Sequence, residues 1–359
     1  MTSLWVLIPI ITAACVLTAM MRRYALSRSL LDIPNERSSH TVPTPRGGGI
    51  AFVAAFFGST LLFAATGVDQ MGWGMLLALI LGGGLIALIG FQDDRIYIPV
   101  RYRLLVHFIA AIWGIYCLGG FPDLPFFGVE VKFGWAGWLF AAFYIVWLLN
   151  LYNFMDGLDG LASLEAVTVC IGGALAYWVA MTSSGQAVSM TDSAILLPLF
   201  LAASVLGFLL WNFPPAKIFM GDVGSGFLGF TIGMLSLHAA WIEPQLFWSW
   251  LILLAVFVVD ATYTLLCRLV RGEQIYRAHR THAFQYASRL LGSHQQVTVN
   301  VALINVIWLM PMALLVAIGR MDGALGVLIA YLPLLLLAVK LKAGQPETIV
   351  VADLARVRR

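Results

Sequence analysis

Charge is what this sequence has least of. Charged residues make up 11% of the chain, against about 25% in ordinary soluble domains. Hydrophobic residues make up 61%, which places the chain among polytopic membrane proteins with the lipid bilayer as solvent. Nothing in it suggests a nucleic-acid polymer as a partner. Cysteine is scarce as well. Cys15, Cys117, Cys170 and Cys267 all sit in apolar runs without CxxC or metal-type spacing, so they read as small buried hydrophobes rather than ligands or redox pairs. Internal repeats, low-complexity tracts and a soluble domain are also missing. The first apolar run does not have the form of a signal peptide, because the basic pair Arg22 and Arg23 follows it instead of preceding it. A retained anchor with its N-terminus outside is expected.

A membrane helix needs about 20 apolar residues. Eleven segments come close, at about 4–21, 48–66, 72–91, 104–119, 134–151, 160–181, 193–211, 224–241, 246–267, 298–318 and 324–340. The fold class expected is all-α, a polytopic integral membrane protein. A single transmembrane domain fills 1–340, and 341–359 form a basic tail. Of the 21 Lys and Arg residues, the opposite loops hold only Lys132 and Arg320, and the rest lie in the loops after spans 1, 3, 7 and 9 or from Lys340 into the C-terminal tail. Cytoplasmic loops carry the excess of Lys and Arg, so these loops and both flanks of the long 268–297 connection belong inside.

Four polar clusters fall on that same side. Asp93-Asp94-Arg95 ends span 3, Asn150, Asn153, Asp156 and Asp159 end span 5, Gly221-Asp222 opens span 8, and His279-Arg280-Thr281-His282 lies in the 268–297 loop. The stretch from Asp32 to Gly49 precedes span 2 as a fifth. Polar side chains at membrane depth are costly and mark function, and scatter would have put some of these outside. The co-location points to one site facing the cytosol.

Each cluster has its own chemistry. Residues three apart on a helix drift by about 60° per step, so neighbours in the 150–159 ladder can converge but all four cannot share one stripe. Hard oxygen ligands of this kind suit Mg²⁺, which takes only one or two carboxylates and keeps its waters; helix capping by Asn and Asp is the plainer alternative. Adjacent Asp93 and Asp94 repel and want a cation or a shared proton, or else salt bridges to Arg95, Arg101 and Arg103. Asp222 starts a helix among glycines that let a ligand approach backbone amides; it is equally a helix N-cap. His279, Arg280 and His282 offer donors suited to phosphate, or a basic loop on lipid headgroups. Within the spans, His107, Glu165, His238 and Asp260 are buried ionisable candidates. Glu165 and Asp260 are near enough to the cytoplasmic end to support the site, whereas His238 is structural. The outer 120–133 stretch reads as a connector.

Together these motifs resemble a known family. Asp32-Ile-Pro-Asn-Glu-Arg-Ser-Ser-His40, PTPRGGG (43–49), GFQDDR (90–95), RYRLL (101–105), NLYNFMDGLDGLA (150–162), KIFMGDVGSGFLG (217–229) and AHRTHAFQ (278–285) are similar, in order, to motifs of the polyprenyl-phosphate N-acetylhexosamine-1-phosphate transferases, the WecA/MraY type of glycosyltransferase family 4. The resemblance covers about residues 1–340 and is closest to the branch that initiates O-antigen and related surface polysaccharides. The peptidoglycan branch carries consecutive histidines in the last motif, where Arg280 and Thr281 here separate His279 from His282, and it typically has ten spans. Gln92, before the Asp pair, is a smaller departure.

The resemblance implies an enzyme of the bacterial cytoplasmic (inner) membrane. It would transfer a sugar 1-phosphate from a UDP-N-acetylhexosamine to undecaprenyl phosphate, release UMP, and require Mg²⁺, with Mn²⁺ as a substitute. It implies Asp222 as principal metal ligand with Asn153 second, and Asp93 and Asp94 orienting or deprotonating the lipid phosphate. Asn150, Asp156 and Asp159 would hold the nucleotide or shape the metal site. Arg103, His279, Arg280 and His282 would bind the donor diphosphate or the lipid phosphate. Two other readings stand beside it: an intramembrane prenyltransferase, against which the Gly-Asp-Val-Gly-Ser segment argues, and a lipid or solute transporter, which would place binding groups near the midplane, often on repeats. Neither the sugar nor the oligomeric state, a homo-oligomer included, is written in the residues.

Overall fold

The computed structural model describes residues 4–34, 42–66, 72–96, 98–274 and 279–346. Residues 35–41 of the first-loop motif, Tyr97, Ala278 with Arg277, and the tail from 347 lie outside the described residues.

In lipid every backbone polar group must be satisfied internally, which leaves helices as the solution for these apolar runs. They follow in chain order. Helix α1 is Leu7–Ser27, followed by strand β1 (Leu31–Asp32) and strand β2 (Thr44–Pro45). Then come α2 (Gly49–Ala65), α3 (Trp73–Asp93) and α4 (Val100–Leu118). Strands β3 (Leu124–Phe126) and β4 (Val129–Val131) precede α5 (Trp135–Met155), α6 (Leu161–Ser183), α7 (Ser193–Asn212) and α8 (Asp222–Ile242). The chain closes with α9 (Gln245–Leu253), α10 (Ala255–Val270), α11 (Ala283–Leu291), α12 (His294–Ala317) and α13 (Gly323–Lys340).

Among the described residues nine helices are long and apolar enough to cross a membrane. The other two expected spans depart from the expectation. The 246–267 span is broken into α9 and α10, bent by 70°, and α2 has 17 residues. Each of the eleven expected segments coincides with helix, but by length and composition nine helices, or ten with the bent pair taken as one, qualify as crossings among the described residues. The all-α expectation also missed two small antiparallel pairs. The connector at 120–133 contains the β3–β4 hairpin, in register Leu124 with Val131. The long 268–297 loop contains α11 and the start of α12.

Helix α8 is the central post. Its apolar window is 94% buried, against 17% for α1 and 28% for α13, so the outer helices face lipid and α8 faces protein. The segment leading into α8 is locked to the start of α2. The N–H of Phe219 donates to the Pro45 carbonyl at 2.8 Å, Gly48 N–H to the Phe219 carbonyl at 2.9 Å, and Gly49 N–H to the Met220 carbonyl at 2.8 Å. A Cβ at Gly49 would lie 2.5 Å from the backbone of Gly224, so glycine is what lets the two helix starts meet. This exchange brings Arg46 to the start of α8.

Candidate active site

The Asp93-Asp94 pair ends α3, and its members diverge. Asp94 turns to α8. Its Oδ1 accepts the Asp222 N–H at 3.0 Å and its Oδ2 the Val223 N–H at 3.4 Å. A carboxylate at a helix N-terminus satisfies open donors and opposes the positive end of the dipole. Asp94 thus caps α8 from another helix. The turn just before α8 is shaped for it: Gly221 has φ +77°, and a Cβ there would stand 2.5 Å from Asp94 Oδ2. Asp93 instead accepts the Ile98 N–H at 2.9 Å and pairs with Arg103.

Asp222, the first residue of α8, is the centre. The Asn153 amide donates to its Oδ1 at 3.0 Å and to Ser225 Oγ at 3.2 Å. Arg103 Nη1 lies 3.3 Å from Asp222 Oδ2. Arg46 bridges two carboxylates, 2.6 Å from Asp94 Oδ1 and 3.5 Å from Asp222 Oδ1. Residues more than a hundred positions apart thus form one charged cluster at one end of the bundle.

The ladder splits as its spacing requires. Asn150, Asn153 and Asp156 line a cavity of about 590 Å³ with Arg103, His279 and His282. Asn150 also donates to the Val146 carbonyl of its own helix at 2.7 Å. The other wall of this cavity is apolar, formed by Leu104 and Phe108 of α4 and Phe143, Val146 and Trp147 of α5. Asp159 is turned away. Its Oδ2 accepts the Ala216 N–H at 3.0 Å, its Oδ1 is 3.4 Å from His294 Nδ1, and it lines a second cavity of about 400 Å³ with Phe219, Pro214 and His294.

The histidine motif divides in the same manner. His279 and His282 stack, ring centroids 4.8 Å apart, and both face the larger cavity. Arg280 does not line it; its carbonyl accepts from Arg289 at 3.0 Å. Asp260 positions this motif. Its carboxylate accepts the N–H groups of Ala283 at 2.9 Å and Phe284 at 3.1 Å, so it caps α11, and it lies 3.3 Å from His282 Nδ1. Asp260 therefore touches the motif whose two histidines line the larger cavity. Glu165 does not: its partner is Asn305 of α12, at 2.6 Å, and it pins helices away from the cavity. His238 bonds Ser193 at 2.8 Å near the other end of the bundle, in keeping with a structural role.

The electrostatics define what such a site can hold. Burial pushes the Asp94 carboxyl up to about 6, Arg46 pulls it down and Asp222 adds to the rise. Burial likewise raises Asp156 well above the usual carboxylate range, with Asp222 and Asp94 adding to it. The carboxylates of Asp93, Asp94, Asp156 and Asp222 face the guanidinium groups of Arg46 and Arg103, leaving a formal excess of negative charge that protons or a divalent cation would relieve. Among the described residues no group of three or more His, Cys, Asp and Glu side chains could hold a metal alone. Hard carboxylate oxygens at this density fit an ion such as Mg²⁺, which uses one or two of them and keeps waters. Asp222 fits as such a ligand. Asn153 presents its amide nitrogen to Asp222, so for its oxygen to face an ion held there the amide would turn over.

Arg46 is the site residue that sequence reasoning passed over. The signal was present, a lone Arg before three glycines at the mouth of α2, but its partners are set only by the pairing of 45–49 with 219–220.

The sequence profile described as glycosyl transferase family 4 matches residues 76–240. The chain is 30% identical over 298 residues to a Bacillus subtilis (strain 168) protein named "probable undecaprenyl-phosphate N-acetylglucosaminyl 1-phosphate transferase", covering 82% of this chain and 79% of that one. It is 28% identical over 261 residues to the phospho-N-acetylmuramoyl-pentapeptide-transferase of Listeria monocytogenes serotype 4b (strain CLIP80459), covering 67% and 74%. The enzyme of that name from Thermotoga neapolitana is 35% identical over 201 residues, 54% of this chain and 60% of its own.

Proposed function

The chain belongs to glycosyl transferase family 4, and from that premise we propose that it transfers an N-acetylhexosamine 1-phosphate from a UDP-sugar to undecaprenyl phosphate, releasing UMP. We place this step at the cytoplasmic face of the bacterial inner membrane, as the start of O-antigen or related lipopolysaccharide synthesis. The names of its relatives support a polyprenyl-phosphate acceptor and a phosphosugar donor.

The observation that carries the reading is the two-sided cavity. Its polar end holds Asn153, Asp156, Arg103, His279 and His282, and its apolar wall runs along α4 and α5 to the exposed Phe143. A lipid phosphate has this shape: a charged head and a long apolar chain. We assign the nucleotide to the second cavity, which Phe219 and Asp159 line. Only Met220 and Gly221 separate Phe219 from Asp222, so the donor diphosphate would reach from that cavity to the charged cluster.

In the reaction an oxygen of the lipid phosphate attacks the phosphorus that bears the sugar, and the bond to the UMP phosphate breaks. One phosphoanhydride replaces another, so the step is nearly balanced and reversible. A phosphate monoester has a second pKa near 6, so the attacking oxygen is already largely ionised and no strong base is needed. The residues must therefore position and neutralise anions. His279, His282 and Arg103 face the cavity as donors, while Asp93 keeps Arg103 aimed and Asp94 keeps the start of α8 in place. Mg²⁺ held at Asp222 would supply charge neutralisation to the diphosphate.

The test is UMP release by the purified full-length protein in detergent, across a panel of UDP-N-acetylhexosamines, with the lipid product weighed by mass spectrometry. Release should require the UDP-sugar, polyprenyl phosphate and Mg²⁺ together. Asp222→Asn should abolish it while the protein still inserts in the membrane; full activity in that variant would remove Asp222 from the metal site.

A further inference from the structure

Arg103 and His107 stand four residues apart on α4, and therefore on one face of the helix. Arg103 reaches Asp222 Oδ2 at 3.3 Å, which places His107 one turn deeper beneath the same carboxylate. His107 is 4% exposed, and its Nδ1 has no hydrogen-bond partner in the protein. Buried polar atoms without partners are rare and costly, so an imidazole at this depth asks for a reason. A small cavity of about 10 Å³ lies beside it, bounded by Gly90, Arg103, His107, Asn153, Asp222 and Gly226. That is close to the space one water needs, and a buried water needs two to four polar partners. The cavity walls include the imidazole, the Asn153 amide and the Asp222 carboxylate.

We propose that His107 is a positioning residue, which holds Asp222 in its ligating orientation through one water in this small cavity. The water would accept from the Nδ1–H of His107 and donate to the Asp222 carboxylate. Asn153 and Arg103 hold Asp222 from the cavity side, and His107 would hold it from beneath. Losing a group that orients a metal ligand typically costs about 10–100-fold in metal affinity. This inference rests on the reading of Asp222 as the Mg²⁺ ligand.

The experiment measures the rise in melting temperature of the substrate-free full-length protein in detergent as Mg²⁺ is titrated, since a ion that binds only the folded state stabilises by mass action. His107→Leu should need roughly tenfold more Mg²⁺ for the same rise. His107→Asn places an amide nitrogen near the position of Nδ1 and should restore most of the response. A His107→Leu protein with the wild-type Mg²⁺ requirement would overturn the proposal. If Leu prevents folding, His107→Gln replaces it, because the longer side chain carries its amide past the Nδ1 position; a wild-type response there would also overturn it. Asp222→Asn separates the two claims. If it keeps the Mg²⁺ response, the metal reading fails; if it loses the response while His107→Leu does not change it, only the positioning role fails.

Discussion

Asp94 looks in the sequence like half of a metal-binding pair, yet its two oxygens are spent on the first backbone amides of α8 and on Arg46. Its charge acts by holding Asp222 where it is. Arg46 completes that arrangement by touching Asp94 and Asp222 at once. A planar guanidinium can serve two carboxylates in this manner, whereas an ammonium is a single compact charge. Arg46→Ala should therefore lower the rate of UMP release by about one to two orders of magnitude, on the scale of a lost supporting contact. Arg46→Lys should recover little of it; a Lys variant at the wild-type rate would show that charge alone is enough. At this scale the sequence was readable for residue type and only partly for role. Asp93, Asp94, Asn153 and Asp222 were identified from cost at membrane depth, and the structure brings them together. Asp159 and Arg280 carry the same signal but lie outside the larger cavity, because rotation along a helix or loop is not visible in a list of polar residues.

Among the elements, α11 shows how a loop is made rigid. The carboxylate of Asp260, on α10, caps α11 and meets His282, so the imidazole facing the cavity is held by a neighbouring helix. Removing a capping side chain costs about 0.5–2 kcal/mol. Asp260→Ala should loosen α11 before any membrane helix: limited proteolysis of the 271–293 connection should accelerate while the global melting temperature falls only slightly. Unchanged cleavage would mean the loop is held by other contacts. The bend between α9 and α10 has the opposite legibility. Leu253-Leu254-Ala255 contains neither Pro nor Gly, the usual causes of a sharp kink, so an apolar run of the right length concealed the break.

For the whole molecule, the asymmetry of the bundle matters most. The polar clusters gather at one end around the start of α8, and the Lys and Arg residues fall mostly in loops assigned to that side. A cytosolic site would receive a water-soluble donor there while the apolar wall admits a lipid from the side. In a chain first freed of its four cysteines, Glu130→Cys on β4 should react with a membrane-impermeant maleimide on intact spheroplasts, and Arg28→Cys should react only after lysis. The reverse pattern would invert the orientation.

What the sequence determined by itself is the class of solvent, the apolar segments that become helix, and the end of the bundle where charge is tolerated. These follow from local terms: apolar length, the cost of charge in lipid and the bias of basic loops. What only the tertiary structure decided is which charges meet. Asp94 reaches Asp222 across 128 positions, and Arg46 reaches it through a backbone exchange with Phe219 and Met220. Such partnerships depend on helix rotation and on close approach at Gly49 and Gly221, and side-chain geometry between distant segments is fixed only when the segments pack.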